Sequence, residues 1–386
     1  MKTLRVLQLA SFEGNLGDNA NITGTRKLLQ ANLKYNLEFE NIEIREFFWG
    51  ERAYDDDFAE LVNSYDLFIF GGGNFFELWV DHSCNNTSVD IDIPILEKIK
   101  TPTIFYSLGM DPAMGVTDNG INKFKKWLDY VIANDRFVLS LRNDGSYETA
   151  EKYLGLEYAK HFHKVPDGGF FTTTTNSNHI EIPEKSTVLG LNLAGDMLDV
   201  RFPNNTPSSI SSTQFLNTLS SMFNDLFDED KNIHLVLFPH IYKDLDIIYQ
   251  FISKLKDKYA RQRVTVAPYV HGFNAQGYIF DAYTKCDIIM GNRFHTNVCA
   301  IGLNIPSIGF INYRQIECLY KELQFEDRAI FVNVKGFDKK LLSLVKETLN
   351  NKASIKKRYN MKVHTLLETT ERFHKFINDL LNNYYA

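Results

Sequence analysis

From end to end, short apolar runs of strand length alternate with amphipathic stretches of helix length, and this alternation restricts the possible folds more than any other feature. A chain patterned this way buries its strands in parallel sheets and covers both faces of each sheet with helices. In the first half the strand-like runs cover residues 4–10, 42–48, 66–70, 103–108 and 137–141, with helical patterns at 19–35 and 121–133. The pattern pauses at Thr172-Thr173-Thr174-Thr175-Asn176-Ser177-Asn178, a polar tract without apolar periodicity that reads as a loop between domains. It restarts with runs at 187–193, 233–238, 264–267, 287–290, 307–310 and 330–332. At 386 residues and 44% hydrophobic content, the chain exceeds one ordinary core. The expectation is an α/β protein with one Rossmann-like domain over 1–178, a second over 179–350, and a long amphipathic C-terminal helix over 351–386, broken at most once.

Charge and cysteine usage exclude several functions. The net charge is −6 and the 42 Lys and Arg are scattered, so no basic stripe is available to neutralise a nucleic-acid backbone. Cys84, Cys286, Cys299 and Cys318 form no Cys-x-x-Cys pair, and neither a zinc site nor a disulfide framework is expected. No run approaches the ~20 apolar residues that cross a bilayer. The short apolar start, residues 4–10, suits a first strand better than a signal peptide, so a cytoplasmic protein without metal or cofactor is expected.

In open α/β sheets ligands bind beyond the carboxyl ends of the strands, and the informative segments fall there. After the first run comes Gly14-Asn15-Leu16-Gly17-Asp18-Asn19-Ala20, which reads either as a tight turn with Asp18 capping the next helix or as a ligand loop. After the third comes Gly71-Gly72-Gly73-Asn74. Three glycines carry a large entropy cost, so something approaches their backbone closely, either an anionic or sugar ligand or another part of the chain. The segment matches neither Gly-x-Gly-x-x-Gly nor a P-loop. The fifth run delivers Arg142, with Asp144 and Ser146 behind it, where a guanidinium would hold a carboxylate or phosphate, or pair with Asp144.

In the second half, Pro239-His240 follows a strand-like run, with Asp244 four residues on, and an imidazole there is an acid–base candidate. The most specific arrangement is Gly291-Asn292-Arg293-Phe294-His295-Thr296-Asn297, a strand, a turn and a helix start. Cations in the first turn oppose the helix dipole unless an anion is bound, which points to an anionic ligand or a carboxylate partner for Arg293.

Taken in order, these segments resemble the polysaccharide pyruvyl transferase family. The resemblance rests on Gly14-Asn15-Leu16-Gly17-Asp18, Gly71-Gly72-Gly73, Leu108-Gly109, Arg142 with Asp144 and Ser146, Pro166-Asp167, Pro239-His240 with Asp244, and Arg293-Phe294-His295 with Gly302, Pro306 and Tyr313. It implies two Rossmann-like domains facing a cleft, in a GT-B-like fold, and transfer of a pyruvyl group from phosphoenolpyruvate to a sugar of a polysaccharide or its precursor, as a ketal. By position, Arg293 and His295 correspond to the family's donor site, with Asn292 beside them, Arg142 closing an anion clamp from the first domain and His295 as general acid. His240 and Asp18 are candidates to orient or deprotonate the acceptor hydroxyl, and Asn15, Gly72, Gly73 and Asn74 to line the substrate site. The partners implied are phosphoenolpyruvate and a glycan or lipid-linked sugar acceptor, which leaves peripheral membrane contact open. The chain departs from the family pattern where Arg314-Gln315-Ile316 follows Tyr313 without a lysine, and where Asn143 follows Arg142. The rival readings are a GT-B glycosyltransferase using a nucleotide sugar and a non-catalytic glycan-binding relative.

Overall fold

A computed structural model describes residues 2–385. It divides into two compact units. The first takes the residues up to Glu13, Asn21–Gly168 and everything from Thr365 on, and the second takes Gly14–Ala20 and Gly169–His364.

The first unit is built on strands β1 (Thr3–Ala10), β2 (Asn36–Glu43), β3 (Leu67–Phe70), β4 (Gly73–Glu77), β5 (Thr103–Asp111), β6 (Phe137–Leu141) and β7 (Phe162–Lys164). They form a parallel sheet in the order β2-β1-β3-β5-β6-β7, with β4 also pairing β5. Because successive side chains of a strand face opposite ways, β3 sends Leu67 and Ile69 into one core and Phe68 and Phe70 into the other. Every residue of β3 is buried, as the near-continuous apolar sequence of a sheet covered on both faces requires.

The second unit holds β8 (Thr187–Asn192), β9 (Ile233–Leu237), β10 (Val264–Val266), β11 (Ile288–Gly291), β12 (Ser307–Ile311) and β13 (Ala329–Phe331), in the parallel order β10-β9-β8-β11-β12-β13. Leu189, Leu235, Met290 and Phe310 pack on one face against the helix Ser212–Glu229. That helix opens with Ser211 and Gln214 capping each other's backbone. Val188, Val236 and Ile289 pack on the other face, together with Leu16 and Ala20.

The structure corrects two sequence expectations and bears out a third. The run at 42–48 is not a strand: β2 ends at Glu43 and residues Ile44–Phe48 form a short helix whose first turn is capped by the Glu43 carboxylate. As an edge strand β2 buries few residues, so its polar sequence hid it and the apolar cluster behind it drew the assignment. The helix expected from residue 19 begins at Leu16, where the Asn15 side-chain oxygen accepts the Gly17 N–H, so Asp18 lies inside the first turn and does not cap it. The C-terminal helix runs unbroken over Lys352–Tyr385, about 50 Å at the usual rise per residue.

From Thr365 on, that helix belongs to the first unit. Phe373, Ile377 and Leu381 fill the core beside Leu4, Val6 and Tyr106. Asn378 accepts the Lys34 N–H and donates to the Asn32 carbonyl, satisfying backbone groups at the end of the helix Leu16–Asn32. The buried His374 lies 2.7 Å from the Tyr106 hydroxyl and 3.1 Å from Asn32 Nδ2. An amide NH2 only donates, so His374 Nδ1 accepts and the ring sits neutral.

Burial lowers the His374 pKa to about 4. As pH falls below the ordinary histidine value of ~6.5, the unfolded chain takes up a proton that the folded chain refuses, and stability drops until the folded pKa is passed. The expected loss from this residue is about 2 kcal/mol at pH 5 relative to pH 7.5. Unfolding midpoints of the wild type and His374→Gln at both pH values check it, since the variant should lose this part of the acid sensitivity. Equal sensitivity in the two proteins would count against it.

Candidate functional site

The strand orders fix where ligands can enter. Each sheet reverses its direction of growth once, between β1 and β3 in the first unit and between β8 and β11 in the second. In doubly wound sheets the binding crevice opens beyond the carboxyl ends of the strands at such a point.

In the first unit that edge is occupied by the chain's own groups. A side chain on Gly71 would meet Leu108 and the Tyr106 carbonyl, one on Gly72 would meet the Asn21 amide, and one on Gly73 the Phe75 ring. The close approach demanded by three glycines is therefore made from within the protein, and Gly71 sits at φ 115°, where other residues are strained. Asn21 also donates to Asp167 at 2.7 Å and accepts the Gly168 N–H at 3.2 Å. Arg142, 4% exposed, pairs with Asp144 through Nε at 2.6 Å and with Asp167 through Nη1 at 3.5 Å. Gly109 allows Asn74 and the Arg142 guanidinium to meet over its backbone, and Asn74 Nδ2 lies 3.4 Å from Asp111. Gly72, Gly73, Asn74 and Arg142 thus lie in one neighbourhood, with the guanidinium held between two carboxylates.

The second unit gathers the remaining candidates. The Gly14–Ala20 segment packs into it, with the Leu16 N–H 3.4 Å from the His240 carbonyl and Asn15 Nδ2 donating to Asp18 at 2.8 Å. A methyl group on Gly17 would run into Nδ1, Cβ and Cγ of His295, so this glycine lets the histidine side chain pack closely against the backbone. The helix Phe294–Gly302 starts directly after β11, with Arg293 in the extended N-cap position and no side chain capping the turn.

The charge mismatch read from the sequence is resolved inside the unit. Arg293 donates through Nε to Asp244 at 2.8 Å and through Nη2 to Asp196 at 3.0 Å. Burial alone would lower the Arg293 pKa, but Asp244 and Asp196 raise it above the ordinary arginine value. Burial likewise opposes ionisation of Asp244, yet Arg293 and the N–H groups of Gly195 and His240 hold its carboxyl below the usual range. The anion at this cation is therefore a pair of aspartates, and the dipole argument by itself demands no external ligand.

His240 hangs from Asp244 by its backbone and places Nε2 2.7 Å from the Tyr283 hydroxyl. Burial, opposed by Asp244 and aided by the charges of Arg293 and His295, lowers its pKa to about 3. At neutral pH it is an uncharged hydrogen-bonding group and not a proton carrier.

Four adjacent strands end in buried polar groups that lack a full set of partners. Asn192 Oδ1 closes β8, Asn292 Nδ2 follows β11, Asn312 Nδ2 follows β12 and His240 Nδ1 lies beyond β9; each has no hydrogen-bond partner among the described residues. Native proteins rarely leave such atoms orphaned, so a row of them at a switch point makes this edge the candidate ligand site. Sequence reasoning selected His240 and Asn292 but missed Asn192 and Asn312, whose only signal was their place at strand ends. It also missed Asp196 and Arg201, which no motif marks. Arg201 is buried, donates to the Asn292 carbonyl at 3.1 Å, and its guanidinium lies 5.2 Å from the Tyr313 ring centre.

Among the described residues no group of three or more His, Cys, Asp or Glu side chains could hold a metal ion. All four cysteines are free, with Cys84 exposed and the other three buried. No helix among the described residues is long and apolar enough to cross a membrane.

Two parallel α/β units with a site at the second unit's switch point define a GT-B-like protein. A glycosyltransferase from Rickettsia africae superposes with a TM-score of 0.54 at 10% identity, covering 99% of this chain and 99% of that one. The UDP-GlcNAc 2-epimerase from Methanocaldococcus jannaschii superposes with a TM-score of 0.52 at 10% identity, covering 90% of this chain and 93% of that one. At such identities the likeness shows the fold alone. Within this class the chain belongs to the polysaccharide pyruvyl transferase family, whose sequence profile matches residues 15–314. No curated protein matches the chain.

Proposed function

We propose that this protein transfers a pyruvyl group from phosphoenolpyruvate to a sugar of a polysaccharide or its precursor, forming a cyclic ketal. One observation supports this most. Arg293 and His295 flank the start of one helix at the second sheet's switch point, beside the orphaned polar atoms of Asn192, His240, Asn292 and Asn312. The family match favours this reaction over others the fold supports.

Ketal formation needs a proton on the methylene carbon of the enol phosphate, addition of a sugar hydroxyl to the cationic carbon with loss of its proton, departure of phosphate, and addition of a second hydroxyl of the same sugar with loss of its proton. In this reading an imidazolium at His295 gives the proton, Arg293 stabilises the leaving phosphate and Asn292 Nδ2 donates to the donor's oxygens. His240, being neutral, orients a hydroxyl through Nδ1, while Asp18, steadied by Asn15, is the candidate to accept the hydroxyl proton. Gly72 and Gly73, whose backbones are covered by Asn21 and Phe75, are assigned to shaping the first unit's strand ends. Arg142, already shared by two carboxylates, is assigned to fixing the Asp144 and Asp167 loops.

Purified protein incubated with phosphoenolpyruvate and a panel of lipid-linked and nucleotide-linked sugars should release phosphate and add the mass of a pyruvyl ketal to one acceptor. Thermal stabilisation by nucleotide sugars and not by phosphoenolpyruvate, with no phosphate released, would replace this reading with glycosyl transfer.

A further inference from the structure

Two arginines from different segments reach the same carboxylate. Arg293 Nη2 lies 3.0 Å and Arg201 Nη2 3.5 Å from Asp196 Oδ1. The two aspartates of this cluster are not equivalent. Asp244 is wholly buried and bound by Arg293 and by the backbone N–H groups of Gly195, His240 and Ile241, which makes it a fixed part of the frame. Asp196 is 24% exposed on its side chain and stands in the loop after β8, just before Met197 in the left-handed region at φ 53°. Among the described residues, its carboxylate is bound by the two guanidinium groups alone.

The surroundings are those of an oxyanion. Arg201 donates to the Asn292 carbonyl at 3.1 Å and lies 3.5 Å from Asn312 Oδ1, so both asparagines border the cluster. Each carries a buried Nδ2 without a partner among the described residues. Asn292 Oδ1 is taken by the Ala194 N–H at 2.7 Å, which ties its amide to the loop that bears Asp196. One carboxylate has two oxygens; two guanidinium groups and two spare amide donors offer more hydrogen bonds than it can accept.

We propose that Asp196 is an internal stand-in for a ligand oxyanion: Arg201, Arg293 and the Nδ2 groups of Asn292 and Asn312 form a subsite for a phosphate or carboxylate group, which Asp196 must vacate before the ligand binds. The subsite rests on reading this switch point as the donor site, and not on the donor being phosphoenolpyruvate. The loop can leave without unravelling the frame, because Asp244 keeps Arg293 aligned when Asp196 swings away. A stand-in of this kind lowers apparent affinity by the fraction of molecules in which it occupies the site. It also keeps two neighbouring guanidinium groups neutralised while no ligand is present.

The test uses the full chain. Inorganic phosphate and, in a separate arm, acetate are titrated into wild type, Asp196→Asn, Asp196→Ala and Asp196→Asn/Arg201→Met, with binding read by calorimetry. Removing the carboxylate is expected to tighten phosphate binding about tenfold or more, and the added Arg201 change to cancel the gain. Tightening by acetate alone assigns the subsite to carboxylates, tightening by phosphate alone assigns it to phosphoryl groups, and equal tightening leaves it a general oxyanion subsite. Unchanged or weaker binding in both Asp196 variants overturns the proposal, as does a double variant that binds as tightly as Asp196→Asn.

The unmodified protein gives an independent readout. Saturating phosphate should speed amide exchange in the loop at residues 195–197, ahead of the short helix Leu198–Arg201, and slowed or unchanged exchange there contradicts withdrawal of Asp196. If phosphate binding tightens as expected while phosphoenolpyruvate is not turned over, the subsite stands and pyruvyl transfer falls.

Discussion

Arg293→Met is expected to destabilise the second unit by about 3–5 kcal/mol, because it leaves the fully buried Asp244 without its cation. Three backbone N–H groups still reach that carboxylate, but they were already counted in the native state and gain nothing new. The loss should therefore come from the stranded charge, not from the missing side chain. Arg293→Met/Asp244→Asn separates the two causes: neutralising the acid should recover more than half of the stability in chemical denaturation. A single variant as stable as the wild type, or a double variant that is simply the sum of its parts, would show that the pair is not the organising contact it is taken to be. Under the proposed reaction neither variant recovers turnover, since the double variant restores the fold and not the cation.

Under the proposed reaction His295→Asn should behave in the opposite way, with phosphate release from phosphoenolpyruvate falling by about 10²–10⁴-fold and the unfolding midpoint almost unmoved. The imidazole lies on the bare backbone of Gly17, so a smaller polar side chain fits the same space without overpacking. Full activity in the variant would remove His295 from the chemistry. The pH profile adds a constraint. His240 stays neutral down to about pH 3, so any acid limb of the wild-type rate above pH 5 must come from another group.

The fold was legible where burial on both faces forces continuous apolar runs, as in β3 and β6, whose residues are all buried. It was illegible at edges and short pieces. β2 buries only Leu37 and Ile42, β7 has three residues, and β4 begins at the last of the three glycines, so none carried enough apolar sequence to be seen. At the site, residue types at strand ends were readable. Asn292, Arg293, His295 and His240 were selected, and all lie in the second unit. Their partners were not, because the carboxylates that settle the Arg293 charge sit 49 and 97 positions away in sequence. Spacing along the chain does not encode such pairings. Arg142 shows the same limit from the other side: Asp144 was visible two residues on, while Asp167, on the next loop, was not connected to it.

The polypeptide passes between its two units four times, at residues 13/14, 20/21, 168/169 and 364/365. Neither unit is a continuous stretch of sequence, and one strip of the first unit's interior, Phe373, Ile377 and Leu381, follows the whole of the second unit along the chain. On the ribosome, the half that emerges earliest must therefore wait, incomplete, until residues 373–381 have been made, while the half encoded ahead of them can close first.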